Sequence, residues 1–120
     1  MSMHVSIIER KPEVSTEQFS RRWQAEIAPV VVALPGVISY VQNHVLEHVD
    51  RELGPGVSVN PAGVSMIEFA DANTMGNTLA SAAYQAYLRA LEAIASRYIV
   101  LDVERHQLSA PPPLEIGGEG

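Results

Sequence analysis

The chain has 120 residues, 47% of them apolar, and a formal net charge of −6, which fits a single domain with a packed core and excludes wholesale disorder. It contains no Cys, which excludes a disulfide framework, a thiolate metal site and a thiol nucleophile and suits a reducing cytoplasm. The eight Lys and Arg residues are scattered, with only Arg10-Lys11 and Arg21-Arg22 adjacent, so the clustered positive surface that nucleic acid or an anionic membrane demands is missing.

In chain order, residues 1–11 (MSMHVSIIERK) hold too short an apolar run for a secretory signal. They predict a strand over about Met3–Arg10, stopped by Pro12. Ser15 suits a helix N-cap, and Gln18 three residues later completes a capping box. Phe19, Trp23, Ile27, Val30, Val31 and Leu34 form one helical stripe. Pro29 lies inside it, removes a backbone donor and crowds residue 25, so a kink or break is expected near Glu26–Ala28. Pro29 and Pro35 also interrupt the longest apolar stretch, which is too short to span a membrane.

Pro35-Gly36 ends the helix, and the period changes to two over about Val37–His48. Tyr40, Gln42 and His44 then share one side, with Val41 and Val45 on the other. Residues 50–63, rich in Gly and Pro, read as a surface loop, or functionally as a flap or an arm to a partner; Asn60–Gly63 suits a type I turn. A strand over about Val64–Ala70 leads to a helix over about Thr74–Arg97, capped by Asp71, Asn73 or Thr74. Its stripe is Leu79, Ala83, Ala86, Ala90 and Ile94. The last strand spans about Tyr98–Leu108. Residues 1–109 form the domain; residues 110–120, dense in Pro and Gly, form a mobile tail or an extended arm on a neighbour.

Two strand-helix-strand halves predict an α+β, ferredoxin-like βαββαβ fold: a four-stranded antiparallel sheet with two helices on one face. The other face should then be polar in a monomer. Instead Tyr98-Ile99-Val100-Leu101 is apolar at both parities, Val64 and Met66 oppose Ile67 and Phe69, and Val5 and Ile7 oppose Ile8. An uncovered apolar sheet face is unusual in a soluble monomer, so a homodimer is expected, with a second sheet laid against the first.

Strand periodicity also groups the polar residues: Tyr40, Gln42 and His44; Asp102, Glu104 and His106; His4 and Ser6; and Glu68. His44 is the first candidate for acid-base work, because imidazole titrates near neutrality; a solvated strand-end His is the plain alternative. Asp102 or Glu104 with His106 can form an oriented carboxylate–imidazole pair, or simply a charged edge strand. Glu68, between Ile67 and Phe69, can be a desolvated base or the partner of Arg10 or Arg105. Tyr40 and Gln42 can hydrogen-bond a ligand oxygen or serve sheet packing, and Trp23 and Phe19 are core anchors before they are ligand walls. The four His residues, at positions 4, 44, 48 and 106, show no helical i,i+4 pair, and no Gly-rich phosphate loop or Gly-x-Ser-x-Gly elbow is present. Neither a metal nor an organic cofactor is expected.

The run Phe19-x-x-x-Trp23, Ala28-Pro29, Leu34-Pro35-Gly36 and Tyr40-Val41-Gln42-Asn43-His44 resembles the EthD family, named after a protein linked to oxidative breakdown of ethyl tert-butyl ether. The likeness in element order spans most of residues 3–108 and is specific over 19–44. It implies a dimeric α+β barrel, the group that includes muconolactone isomerases, polyketide cyclases and cofactor-free monooxygenases. Many such sequences carry His before the Ala-Pro step; here Ile27 stands there, so no role for that His transfers. The combined reading is a cytoplasmic homodimer that binds a small hydrophobic oxygenated metabolite. As an enzyme it acts by cofactor-free proton transfer, such as isomerisation or cyclisation, in a catabolic or biosynthetic pathway. His44 is its acid-base, Glu68 or Asp102 assists, and Tyr40, Gln42, Trp23, Met66 and His106 contact the ligand. The alternative is a non-catalytic accessory or binding protein of an oxidative degradation pathway, which Ile27 favours. The residues leave both readings open.

Overall fold

The computed structural model describes residues 1–46, 60–106 and 108–109. Its element order is β1 (Ser2–Arg10), α1 (Thr16–Arg22), a π-helical turn (Trp23–Ile27), α2 (Ala28–Val32), β2 (Val37–His44), β3 (Gly63–Phe69), α3 (Ala72–Leu79), α4 (Ala82–Leu91) and β4 (Ala95–Glu104). The strands form one antiparallel sheet in the order β2-β3-β1-β4, the expected split βαβ arrangement. The helices lie on one face. No helix among the described residues is long and apolar enough to cross a membrane.

The first helical segment follows its sequence signals. The Ser15 hydroxyl accepts from the Gln18 N–H, and the Gln18 side chain accepts from the Ser15 N–H. The break expected at Pro29 is a widened turn: the Ala28 N–H reaches back five residues to the Trp23 carbonyl. The extra residue moves the chain around the proline ring, which would otherwise meet the carbonyl of residue 25. Phe19, Trp23, Ile27, Val31 and Leu34 are all buried. Gly36 ends the segment at φ +79°, where a Cβ would come within 2.5 Å of Thr74 Cγ2.

The second helical segment departs from its expectation. It divides at Ala80–Ser81. The Ser81 hydroxyl donates to the Thr78 carbonyl at 2.6 Å and accepts from the Tyr84 N–H at 3.2 Å, closing α3 and capping α4. Asp71 caps α3 through the Thr74 N–H. The break resets the helical phase, so the expected stripe holds only at its ends: Leu79 and Ala90 pack on the core and Ile94 is buried, while Ala83 and Ala86 are exposed and α4 buries Tyr84, Tyr87 and Leu91 instead.

Strand limits shift as well. β2 stops at His44, although the Val45 N–H still bonds the Ala62 carbonyl. The expected turn over residues 60–63 is not closed by a bond from the Gly63 N–H to the Asn60 carbonyl; the Ala62 N–H is held by the Ile8 carbonyl at 2.7 Å, and Gly63 begins β3. β4 begins at Ala95 and ends at Glu104, earlier at both ends than the sequence suggests. His48, most of the 50–63 connection and the 110–120 tail lie outside the described residues.

Register assigns the two faces. Under the helices, β2 through β4 align Tyr40–Ile67–His4–Asp102, Gln42–Ser65–Ser6–Val100 and His44–Gly63–Ile8–Tyr98. The opposite face carries Val41, Asn43, Val64, Met66, Glu68, Met3, Val5, Ile7, Ile99, Leu101 and Val103. It is largely apolar, with Leu101 49% and Val41 45% exposed.

Candidate functional site

The π turn, α2 and β2 together build a cleft of about 430 Å³ lined by Gln24, Ala28, Val32, Tyr40, Gln42 and His44. Alternation along β2 points Tyr40, Gln42 and His44 toward the helices. Gln42 joins them. Its amide nitrogen donates to the Trp23 carbonyl and to the Tyr40 hydroxyl oxygen, each at 2.9 Å. Its amide oxygen lies 3.0 Å from His44 Nε2, so the His44 N–H is the donor there and Nδ1 of the neutral ring keeps its lone pair. The Trp23 carbonyl is available to Gln42 because the π turn leaves it outside a regular i→i−4 ladder.

Trp23 is fully buried and supports the cleft lining from behind. Its ring packs against His44, with centroids 4.8 Å apart, and lies on Gly63, where a Cβ would come within 2.5 Å of Trp23 Cζ3. A glycine on β3 is therefore required for the indole to reach the sheet. The buried indole N–H has no hydrogen-bond partner among the described residues.

Burial pushes the Tyr40 pKa up to about 12, outweighing the opposing influence of Gln42 and Trp23. Tyr40 is thus a neutral phenol at physiological pH. Its oxygen accepts from Gln42, which leaves its own O–H to donate to a ligand oxygen. The cleft pairs one hydroxyl donor with one imidazole acceptor beside the apolar Ala28 and Val32. That combination can bind a carbonyl and hold a proton next to it.

A family model described as the EthD domain matches residues 11–93, more than half of the chain. The chain belongs to the EthD family. A comparison with curated proteins finds no match. Among solved structures, the EthD chain is similar to an EthD family protein from Bacillus halodurans, at 12% identity and TM-score 0.68, covering 88% of this chain and 100% of that one. A dimeric ferredoxin-like protein from Thermobifida fusca aligns at 13% identity and TM-score 0.60, covering 85% and 88%. SnoaB, a cofactor-independent oxygenase from Streptomyces nogalater, aligns at 15% identity and TM-score 0.58, covering 91% and 97%. At these identities the likeness establishes the fold, including the ferredoxin-like arrangement that the sequence predicts.

The EthD fold separates several residues that the sequence grouped by chemistry. Glu68 and Met66 lie on the sheet face away from the helices, opposite to Tyr40, Gln42 and His44. Glu68 is buried there, accepting from Ser39 Oγ at 3.1 Å and from Arg105 Nη1 at 3.2 Å. Of its two expected partners, Arg105 pairs with it; Arg10 instead donates to the Val14 carbonyl. Asp102 shares the helix-covered face with His44 but occupies the opposite edge strand. It does not pair with His106, which contacts Glu104 at 3.2 Å on an exposed end. Ile27, at the position where family members often carry His, is buried in the core.

Asp102 instead meets two residues that the spacing did not connect. Its Oδ1 lies 2.5 Å from His4 Nδ1, and His4 Nε2 lies 2.8 Å from the Tyr84 hydroxyl. With Nδ1–H donating to the carboxylate, Nε2 is left to accept from the Tyr84 hydroxyl. Burial, with neighbouring Tyr98 and Asp102, pushes Tyr84 up to about 12. His4 stood in the sequence as one of several polar strand residues. Its partners are 98 and 80 positions away, beyond any local pattern. Among the described residues, no group of three or more His, Cys, Asp or Glu is placed to hold a metal ion.

Proposed function

We propose that this EthD protein is a homodimer that binds a small hydrophobic, oxygenated molecule in the cleft between α2 and β2 and transfers a proton within it without an organic cofactor. The supporting observation is the Gln42 amide, which ties the Tyr40 hydroxyl and the His44 ring into one hydrogen-bonded row beside an apolar wall. For a ligand with a carbonyl group, the Tyr40 O–H donates to the carbonyl oxygen, and His44 Nδ1 takes a proton from the adjacent carbon. The C–H electron pair becomes the enolate, held by Tyr40. His44 then returns the proton to a different carbon, which completes an isomerisation; in a cyclisation the enolate carbon instead attacks a second carbonyl carbon of the same molecule, and His44 gives the proton to the alkoxide that forms. Gln42 positions both groups, and Trp23 supports the imidazole. The centre rests on His44, Tyr40, Gln42 and Trp23; Glu68, Asp102, Met66 and His106 stand outside it.

The dimer is supported by the apolar face left uncovered by the helices and by the dimeric neighbour from Thermobifida fusca. Cofactor-free chemistry is supported by the likeness to SnoaB, a cofactor-independent oxygenase. Burial of Ile27 where the family often places His supports a second reading, an accessory or binding protein of an oxidative pathway that keeps the cleft and lacks turnover.

The test combines native mass spectrometry, for stoichiometry and co-purified ligand, with turnover and binding assays on a panel of lactones, phenols and ketones. Turnover lost in His44→Ala and reduced about tenfold in Tyr40→Phe, with binding retained, supports the enzyme. Binding without turnover in the parent protein leaves the accessory reading. Neither binding nor turnover removes both.

A further inference from the structure

A second cleft, of about 250 Å³, opens at the β4 edge of the helix-covered face, lined by Ser2, Ala72, Met75, Asp102, Val103 and Glu104. Its chemistry differs from that of the His44 cleft. The Asp102 side chain is 48% exposed. One carboxylate oxygen is fixed on His4, and the other has no hydrogen-bond partner among the described residues. Glu104, the neighbouring carboxylate, is engaged by His106. The wall therefore offers one oriented anionic acceptor above apolar Ala72 and Met75.

The acceptor is held from behind with unusual thoroughness. His4 is 2% exposed and has both ring nitrogens occupied, by Asp102 on one side and by Tyr84 on the other. The Tyr84 ring meets the imidazole edge-on, with centroids 5.6 Å apart. An apolar trio would join α4 to β1 and β4 without desolvating an imidazole and a carboxylate. What the polar chain adds is a fixed direction for the Asp102 carboxylate.

We propose that this cleft is a second binding site, independent of His44, for a small phenol whose hydroxyl donates to Asp102. A donor is required because the acceptor is anionic, and the same charge rejects carboxylates and other anions. A neutral hydroxyl is favoured over an ammonium because it gives up less hydration on entering beside Ala72 and Met75. A volume below the roughly 300–1,000 Å³ of drug-sized pockets limits the ligand to about one ring. The Met75 thioether provides the apolar contact that an aromatic ring favours. His4 and Tyr84 are positioning residues that act through Asp102.

The test follows the four methionine methyl groups and the His4 ring nitrogens by NMR during titration with phenol. Phenol should shift the Met75 methyl saturably and leave Met3 and Met66, on the opposite sheet face, unmoved. Asp102→Asn should weaken that shift by roughly tenfold or more, because it removes the charged acceptor. Tyr84→Phe should weaken it less and move the His4 nitrogens, while His44→Ala leaves it unchanged. Benzoate should produce no Met75 shift. The proposal is overturned if phenol leaves Met75 unmoved, if Asp102→Asn binds phenol as tightly as the parent, if benzoate shifts Met75 equally, or if His44→Ala abolishes the effect. Because the two clefts share no residue, failure here leaves the His44 cleft standing, and the converse also holds.

Discussion

The two faces of the sheet descend from the same strands and bury polar groups in different ways. The helix-covered face holds His4, Ser6, Gln42, His44 and Ser65, and its long polar side chains are tied to helix groups such as the Trp23 carbonyl and the Tyr84 hydroxyl. The uncovered face is apolar at most positions and buries one carboxylate, Glu68, which sits with Ser39 and Arg105. Helices can bring backbone carbonyls and aromatic hydroxyls to a sheet; a second sheet brings mainly side chains, because its own backbone groups are spent on its ladders. Polar groups therefore concentrate where the helices are, and the proposed dimer contact falls where they are not.

The largest expected effect breaks this division at the uncovered face. Leu101→Glu places a carboxylate beside Val5 and Val103. An uncompensated buried charge costs several kcal/mol, so the dimer dissociation constant should rise by about 10³-fold or more. Sedimentation or native mass spectrometry should find monomer. A dimer of undiminished affinity would show that this face is not the interface. A smaller effect is expected on the covered face from Gly63→Ala. The new methyl group meets the Trp23 ring, and overpacking of this kind costs about 1–3 kcal/mol. Thermal unfolding measures the loss, and the His44 ring shifts should move with it, since Trp23 carries both contacts.

How much of this was legible in the chain depends on the range of the contacts. The capping box at Ser15 and the interruption at Pro29 are local, and both appear in the structure. The sharing of one strand side by Tyr40, Gln42 and His44 is local too, and the Gln42 bridge follows from it. Parity could not say which sheet face met the helices, so Glu68 could be grouped with His44 in one site. The division at Ser81 was hidden because an Ala-rich stripe continues smoothly through a serine that also caps a helix. The His4–Asp102 contact joins the two ends of the domain. Only sheet order reveals it, since β1 and β4 are neighbours through the crossover.

Alkaline titration separates the faces by a third route. Tyr40 and Tyr84 both rise from the ordinary 10.0 to about 12, chiefly by burial, and Tyr87 rises further for the same reason. All three lie in the helix-sheet layer. Each folded-state value exceeds the unfolded one, so the stability that this contributes is complete below pH 10 and is lost as pH climbs through 12. The melting temperature should fall steeply over that window, and tyrosinate absorbance should lag behind that of free tyrosine. Leu101→Glu should leave the lag intact, because none of these phenols faces the interface. An earlier titration in that variant would mean that the dimer holds the helix layer closed.

The smallest expected effect is Gly76→Ala in α3, where an added methyl group meets nothing within 4 Å. Glycine inside a helix costs about 0.5–1 kcal/mol relative to alanine, so this variant should be stabilised by that amount and gain a few degrees in Tm. Its use lies in combination. Gly76 touches neither sheet face through a side chain, so its gain should be the same in the parent dimer and in the Leu101→Glu monomer, within about 0.5 kcal/mol, if helix layer and interface are independent. A gain confined to the dimer would mean that α3 is not fully formed until the second subunit binds. The cleft at Asp102 would then depend on assembly, since the Met75 wall belongs to α3 and Tyr84 follows it directly.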